Sequence, residues 1–218
     1  MKAVCLISGG MDSFVTAAIA REEGYHIYAL SFDYGQKNHR ELASAKRIAK
    51  SLQVVRHLIA PVDLSWTHSA LTDPAVAIPH RLPGQHGIPS TYVPARNTIF
   101  ISYGLAFAET VDAEAIFIGV NAIDYSGYPD CRPEYIAQFR RLIKLAVKKT
   151  VEGGRIELKT PLLHLTKAEI VKKGLVLGLD FSLSWSCYRG GKKPCGQCPS
   201  CILRERGFHD AGLKDPLV

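Results

Sequence analysis

The sequence has no apolar run near the roughly 20 residues that a membrane helix needs; its longest strand-like stretches are "AVCLI" (residues 3–7) and "AIFIGV" (residues 115–120). It has no internal repeat and no low-complexity tract, and its composition excludes the disordered and coiled-coil classes. Two familiar phosphate-binding signatures are missing. No G-x-x-x-x-G-K-[ST] places a lysine between phosphates, and no G-x-G-x-x-G opens a dinucleotide site. The start "MKAVCLISGG" carries no cleavage site of secretory type, so a cytoplasmic protein without membrane contact is the expectation.

What is present is enough for one well-filled core, or a core with a small appended lobe: 218 residues, 47% hydrophobic and 22% charged. The net charge of +7 suits an anionic ligand such as a nucleotide, a phosphorylated intermediate or RNA. The lysines and arginines are nevertheless spread along the chain, as on an ordinary solvated surface.

Strand, helix and strand signals alternate from the start. Val4 to Ile7 reads as a strand buried on both faces, followed by a helix over Ser13–Glu23 that Gly24 stops. "HIYALSF" (26–32) and "VVRHLI" (54–59) are further strands around a helix over His39–Leu52, whose Leu42, Ala45, Ile48, Ala49 and Leu52 share one face. This order predicts right-handed parallel crossovers and an α/β sheet, with ligands beyond the carboxyl ends of the strands. Residues 61–94 break the pattern and read as a functional loop or lid. Beyond them the signals predict a helix near Thr98–Val111, the strand "AIFIGV", a long helix from Pro133 or Glu134 to about Val151, and a strand ending at Lys159. Thr166 and Glu169 form a capping box for a helix closed by Gly178, and a last helix fits Ile202–Phe208.

"SGGMDS" (8–13) sits between the first strand and helix. Its glycines let backbone amides approach an anion, the Ser8 and Ser13 hydroxyls donate, and the helix N-terminus adds favourable potential. A plain Gly-Gly turn with Asp12 as helix cap is the bland reading, but every residue of the loop except Met11 is a donor, a cap or a glycine. The stretch resembles the loop of the ATP-pyrophosphatase (PP-loop) family, which cleaves ATP to AMP and pyrophosphate while adenylating an oxygen. The resemblance implies a Rossmann-like, adenine nucleotide alpha hydrolase-like fold. It also implies an ATP-binding segment over Ser8, Gly9, Gly10, Met11, Asp12, Ser13, Phe14, Val15, Thr16, Ala17 and Ala18, with Asp12 contacting Mg²⁺.

Six cysteines occur, and Cys187, Cys195, Cys198 and Cys201 follow a C-x7-C-x2-C-x2-C pattern. In a cytosolic chain this reads as metal before disulfide. A closed four-cysteine structural zinc site, one per chain, is the leading reading, its double negative charge offset by Arg189, Lys192, Lys193 and Arg204. An iron–sulfur cluster is the rival. The organisation expected is an α/β domain over residues 1–180 and a zinc lobe with a final helix over 181–218. Cys5 reads as a core residue, and Cys131 as an inert thiol on a functional loop.

"NAIDYSGYPDCRPE" (121–134) gathers Asp124, Asp130 and Glu134 with Tyr125 and Tyr128. Carboxylates pair with adjacent N–H donors such as a guanine edge, and tyrosines supply stacking faces; a tyrosine-rich surface loop explains the segment equally well. Taken together, "SGGMDS", "FDYGQ", "TYVPARN", "GVNAIDYSGYPDCRPE", "LKTPL" and "SWSCY" resemble the 7-cyano-7-deazaguanine synthase family of queuosine biosynthesis, in order along nearly the whole chain. The resemblance implies a ligase that turns 7-carboxy-7-deazaguanine and free ammonium into the nitrile with two ATP, through an acyl-adenylate, an amide and an adenylated amide. It places the deazaguanine on Asp124, Tyr125, Tyr128, Asp130 and Glu134, gives Asp12, Arg96 and Lys159 catalytic duty, and makes a homodimer an expectation. It implies no nucleic-acid partner. The alternatives are a tRNA-thiolating PP-loop enzyme with an iron–sulfur cluster, which would explain the basic charge, and a non-catalytic zinc interaction module, which leaves the ATP loop without a purpose.

Overall fold

A computed structural model describes residues 1–80, 87–122 and 127–218. Strands and helices alternate: β1 (Lys2–Leu6), α1 (Met11–Glu22), β2 (His26–Asp33), α2 (Arg40–Ser51), β3 (Arg56–Pro61), α3 (Arg96–Thr110), β4 (Ala115–Phe117), α4 (Pro133–Ala146), α5 (Lys148–Val151), β5 (Glu157–Lys159), α6 (Lys167–Val176) and α7 (Pro199–Asp210). The strands pair in parallel in the order β3-β2-β1-β4-β5, with Cys5 opposite Ala29 on one side and Phe117 on the other. Side chains alternate across a strand. Ala3, Cys5 and Ile7 therefore join a core with Phe14 and Ile48 of α1 and α2, Ile170 of α6 and Phe208 of α7. Val4 and Leu6 face a second core with Ile101 of α3 and Ile136 and Phe139 of α4. Burial on both faces is why β1 carries an unbroken apolar run.

The chain steps from β1 out to β3, then returns through α3 to lay β4 on the other side of β1. That reversal opens a crevice beyond the carboxyl ends of β1 and β4. The fold expected from the sequence is thus the one observed, and three of the local differences have a visible cause. The first helix starts at Met11, not Ser13, because Gly9 (φ +92°) completes the turn and an extended Gly10 occupies the N-cap position. β4 ends at Phe117, short of Val120, because a side chain on Gly119 would meet the Asp12 carbonyl carbon at 2.9 Å; the backbone there presses on the start of α1. The long helix after Pro133 breaks at Val147, which is extended (φ −136°, ψ 152°). There the Lys149 N–H is captured by Glu109 Oε1 at 2.7 Å, and Thr150 Oγ1 donates to the Ile143 carbonyl.

The Thr166–Glu169 capping box is present with both reciprocal bonds. Downstream of α6, Phe181 and Phe208 pack into the first core, whereas Trp185, Cys187, Cys198 and Cys201 form a small cluster of their own. A buried ion pair fixes this region. Arg204, 3% exposed, donates to both Asp215 oxygens at 2.7 and 2.9 Å, to Ser184 Oγ at 2.7 Å and to the Phe181 carbonyl at 3.2 Å. Removing one partner of such a pair strands a buried charge. Asp215→Ala is expected to lower unfolding stability by about 3–5 kcal/mol in urea denaturation; a loss under about 1 kcal/mol would show that water already solvates the guanidinium.

Candidate active site

The Ser8–Ser13 loop leaves β1 through a turn that only glycine fits. A Cβ on Gly9 would lie 2.1 Å from the Glu41 carbonyl oxygen, and its φ of +92° is itself disfavoured for other residues. The loop is internally braced: Ser13 Oγ donates to the Gly10 carbonyl at 3.0 Å and accepts from the Ser8 amide and the Ser8 hydroxyl at 3.2 and 3.1 Å. Trp185 N–H donates to the Gly9 carbonyl at 2.8 Å, tying the loop to the cysteine segment.

Asp12 is the first-turn acid of α1. Its Oδ2 pairs with Lys167 Nζ at 2.5 Å, while its Oδ1 is buried with no hydrogen-bond partner among the described residues. Lys167 reaches it because the Thr166 cap starts α6 beside the loop.

Loop and lysine open on a cavity of ≈ 310 Å³, a size at the lower end for small-molecule sites. Its lining also includes Tyr34, Arg96, Tyr128, Trp185 and Tyr188, with Leu71, Pro89 and Thr91 from the segment after β3. Arg96 begins α3, which Asp130 caps by accepting the Asn97 N–H at 2.9 Å. Its guanidinium lies 5.8 and 6.0 Å from the Tyr34 and Tyr128 rings, and Nη1 reaches the Tyr34 hydroxyl at 3.4 Å. Burial opposes the Arg96 charge, but Tyr34, Tyr128 and Tyr188 outweigh it and hold the guanidinium protonated. Burial also pushes Tyr34 up to about 12, with Arg96 acting the other way. Glu41, in the first turn of α2, lines the same cavity; burial raises its carboxyl to about 7 against the pull of Arg96.

Ser8, Gly10, Met11, Asp12 and Ser13 face this cavity, with Gly9 making the turn. Phe14, Val15, Ala17 and Ala18 instead point into the core, and Thr16 is buried. Arg96 and Tyr128 are in the wall. Asp130 is turned to α3, and Glu134 is exposed on the first turn of α4. Asp124 and Tyr125 lie outside the described residues. Lys159 is not brought to the cavity: its Nζ pairs with Glu23 at 2.5 Å and lies over the Tyr25 and Phe117 rings. The strand signal put it on the sheet's carboxyl edge, and it is the last residue of β5, paired with the last residue of β4, but its side chain runs to Glu23 and Tyr25 and away from the cavity. Lys167 and Glu41 are cavity residues that pattern reading passed over, and Trp185 and Tyr188 lie in the quoted "SWSCY" without a role having been given to them. For Lys167 the signal was present, since it directly follows a capping threonine.

The sulfurs of Cys187, Cys195, Cys198 and Cys201 lie within 4.8 Å of one another, and those of Cys195 and Cys201 are 3.9 Å apart. Backbone N–H groups of Arg189 and Cys195 point at Cys187 Sγ, and those of Gln197 and Cys198 at Cys195 Sγ, all at 3.3–3.5 Å. Such donors favour thiolates. Hydrogen bonds from the Cys198 and Cys201 thiols and from the backbone hold Cys187 well below the usual thiol range. Cys5 is a core residue whose thiol burial pushes up; Cys131 lines the cavity and accepts from Asn97 Nδ2 at 3.2 Å. The four-sulfur cluster can hold a metal. Metal analysis is expected to find about one ion per chain, and Cys198→Ser to reduce it below about a tenth of that; an unchanged content would show that the ion sits elsewhere.

A family model described as queuosine biosynthesis protein QueC matches residues 2–212. The 7-cyano-7-deazaguanine synthase of Saccharophagus degradans is 55% identical over 218 residues, covering 99% of this chain and 96% of that protein. The enzyme of the same name from Coxiella burnetii is 53% identical over 99% of this chain and 96% of its own. Among solved structures, the fold resembles a 4-thiouridine synthetase–RNA complex with bound ATP (TM-score 0.54, 19% identity, 97% of this chain and 51% of that one). It also resembles the NMN synthetase of Francisella tularensis (TM-score 0.52, 16% identity, 98% and 78%). At these identities the structural likeness is one of fold alone. Among the described residues no helix is long and apolar enough to cross a membrane. A match running from the first strand to the end of the last helix, joined to relatives that are more than half identical from end to end, decides the assignment: the chain belongs to the QueC family of queuosine biosynthesis proteins.

Proposed function

We propose that the chain is an ATP-dependent carbon–nitrogen ligase that makes 7-cyano-7-deazaguanine from 7-carboxy-7-deazaguanine and ammonium, turning two ATP into two AMP and two diphosphates. Family membership supports the reaction. On the chain itself, the observation that carries the reading is that the Ser8–Ser13 loop and the Arg96–Tyr128–Tyr188 wall share one cavity, so that a phosphate and a heterocycle fit side by side.

A substrate carboxylate oxygen attacks the α-phosphorus of ATP and diphosphate leaves. Ammonia then displaces AMP to give the amide, and a second adenylation, on the amide oxygen, lets loss of AMP form the nitrile. The loop amides, the Ser8 and Ser13 hydroxyls and the α1 N-terminus hold the phosphates. Lys167 and Arg96 supply positive charge where the transferred phosphoryl group gains negative charge, the duty first expected of Lys159. The buried, unpartnered Asp12 Oδ1 is the atom suited to Mg²⁺, which would screen the phosphates. Tyr128, together with Asp124 and Tyr125, takes the heterocycle; Asp130 positions Arg96 through the Asn97 N–H. The segment after β3 serves as the lid that keeps water from the acyl-adenylate; its residues 81–86 lie outside the described residues.

Zinc is the ion proposed for the four cysteines. With Zn–S bonds of about 2.3 Å a tetrahedral site has sulfurs on the order of 3.8 Å apart, and the observed spread suits one ion better than the several irons of a cluster. The ion's part is structural, holding the segment that carries Trp185 and Tyr188. The protein is proposed to act in the cytoplasm, as a homodimer and without nucleic acid.

Incubation with ATP, ammonium and 7-carboxy-7-deazaguanine is expected to release AMP and yield the nitrile by mass, without tRNA; AMP formation only upon adding tRNA would favour the thiolation alternative. Asp12→Ala is expected to lower AMP formation by about 100-fold or more with the fold and metal content unchanged. Retained turnover would refute the role of the loop carboxylate. A brown protein with labile sulfide would overturn the zinc assignment.

A further inference from the structure

Ammonium in neutral water holds its reactive lone pair under a proton. A ligase that uses it needs a group that attracts the cation and takes that proton beside the activated carbon. The residues lining the cavity include two acids. Asp12 is committed to Lys167 at 2.5 Å. Glu41 is not committed: among the described residues its carboxylate has no hydrogen bond and no ion pair. Arg96 is the nearby cation, yet among the described residues no nitrogen–oxygen contact within 4.0 Å joins them, and the Arg96 guanidinium donates to the Tyr34 hydroxyl instead. Glu41 is also held at a fixed distance from the chemistry, because its own carbonyl is what excludes a side chain at Gly9.

We propose that the Glu41 carboxylate receives the ammonium ion and accepts its proton, delivering ammonia to the adenylated carboxyl carbon. The assignment rests on the ligase reading above. Tyr34 and Tyr188 lie within electrostatic reach of Glu41 and, with Tyr128, give the cation a wall of aromatic faces and hydroxyls. Burial raises the Glu41 carboxyl above the ordinary carboxylate range, with Arg96 opposing and Cys187 adding, a direction that favours taking up a proton.

The step balances as follows. One ammonium proton passes to Glu41, the freed nitrogen lone pair forms the C–N bond, and the C–O bond to AMP breaks with its electrons on the phosphate oxygen. The second proton lost by nitrogen is taken up by the departing phosphate, leaving neutral amide, protonated Glu41 and AMP.

The test separates the two halves of the reaction in the full-length, metal-loaded protein. Exchange of labelled diphosphate into ATP, driven by 7-carboxy-7-deazaguanine alone, reports the adenylation. Amide and nitrile formation report ammonium use. Glu41→Gln is expected to keep exchange within about threefold of wild type, to lower ammonium-dependent product by about 100-fold and to raise KM for ammonium. Hydroxylamine, a nucleophile already unprotonated at neutral pH, should restore adduct formation to within about tenfold of wild type. Glu41→Asp, which keeps the charge, should retain more ammonium-dependent activity than Glu41→Gln.

Equal losses of exchange and of ammonium turnover would make Glu41 a counter-charge for Arg96 and overturn the assignment. So would ammonium turnover in Glu41→Gln within threefold of wild type. A wild-type protein that exchanges diphosphate but makes no product from ammonium would instead refute the ligase reading itself, a result that no Glu41 variant can mimic.

Discussion

Everything at the site depends on the backbone at Gly9 having no side chain. The α2 helix brings the Glu41 carbonyl to within 2.1 Å of where a Cβ would be, and on the other side the Gly9 carbonyl accepts the Trp185 N–H. One residue is therefore the meeting point of the phosphate loop, the helix that carries Glu41 and the cysteine-bearing segment. Gly119 repeats the device at the end of β4, where the backbone lies against Asp12 and Ser13. These contacts are backbone on backbone, and in a close-packed interior such contacts do not yield. The loop is thus rigid before any ligand arrives, which lowers the ordering cost of binding.

The charge distribution follows from that geometry. Arg96, Lys167 and Arg204 all border the cavity, yet each differs in how far it is spoken for: Arg204 is locked to Asp215, Lys167 is paired with Asp12, and Arg96 rests on tyrosines. Positive charge in the pocket is thereby neutralised to different degrees, least at Arg96, which has no acid partner within 4.0 Å among the described residues. An anionic substrate group and a triphosphate can then be drawn to different places in one enclosure.

The sequence revealed the parallel sheet, the loop and the four-cysteine cluster because each is a local pattern: apolar runs between turn signals, six contiguous residues, and regularly spaced cysteines. It was silent wherever function comes from residues distant in the chain. Lys167 and Asp12 are 155 positions apart, and only the packing of α6 beside α1 makes them partners. Glu41 is a first-turn acid of an amphipathic helix, a position that carries no signal of function in the sequence. Lys159 misled because a three-residue strand does not reveal which way its last side chain turns, and this one turns to Glu23 and Tyr25. Asp130, expected on the substrate, accepts the Asn97 N–H at the start of α3, a use of acids that composition does not distinguish from ligand binding.

A single phosphate loop among the described residues has a consequence for traffic through the enzyme. Two activations of one molecule at one loop require spent AMP and diphosphate to leave and fresh ATP to enter while the half-converted amide stays. On the proposed reading, the tyrosine wall has to grip the heterocycle longer than Ser8–Ser13 grip a nucleotide. Residence time, more than affinity for either ligand alone, then decides whether the amide is finished as nitrile or escapes.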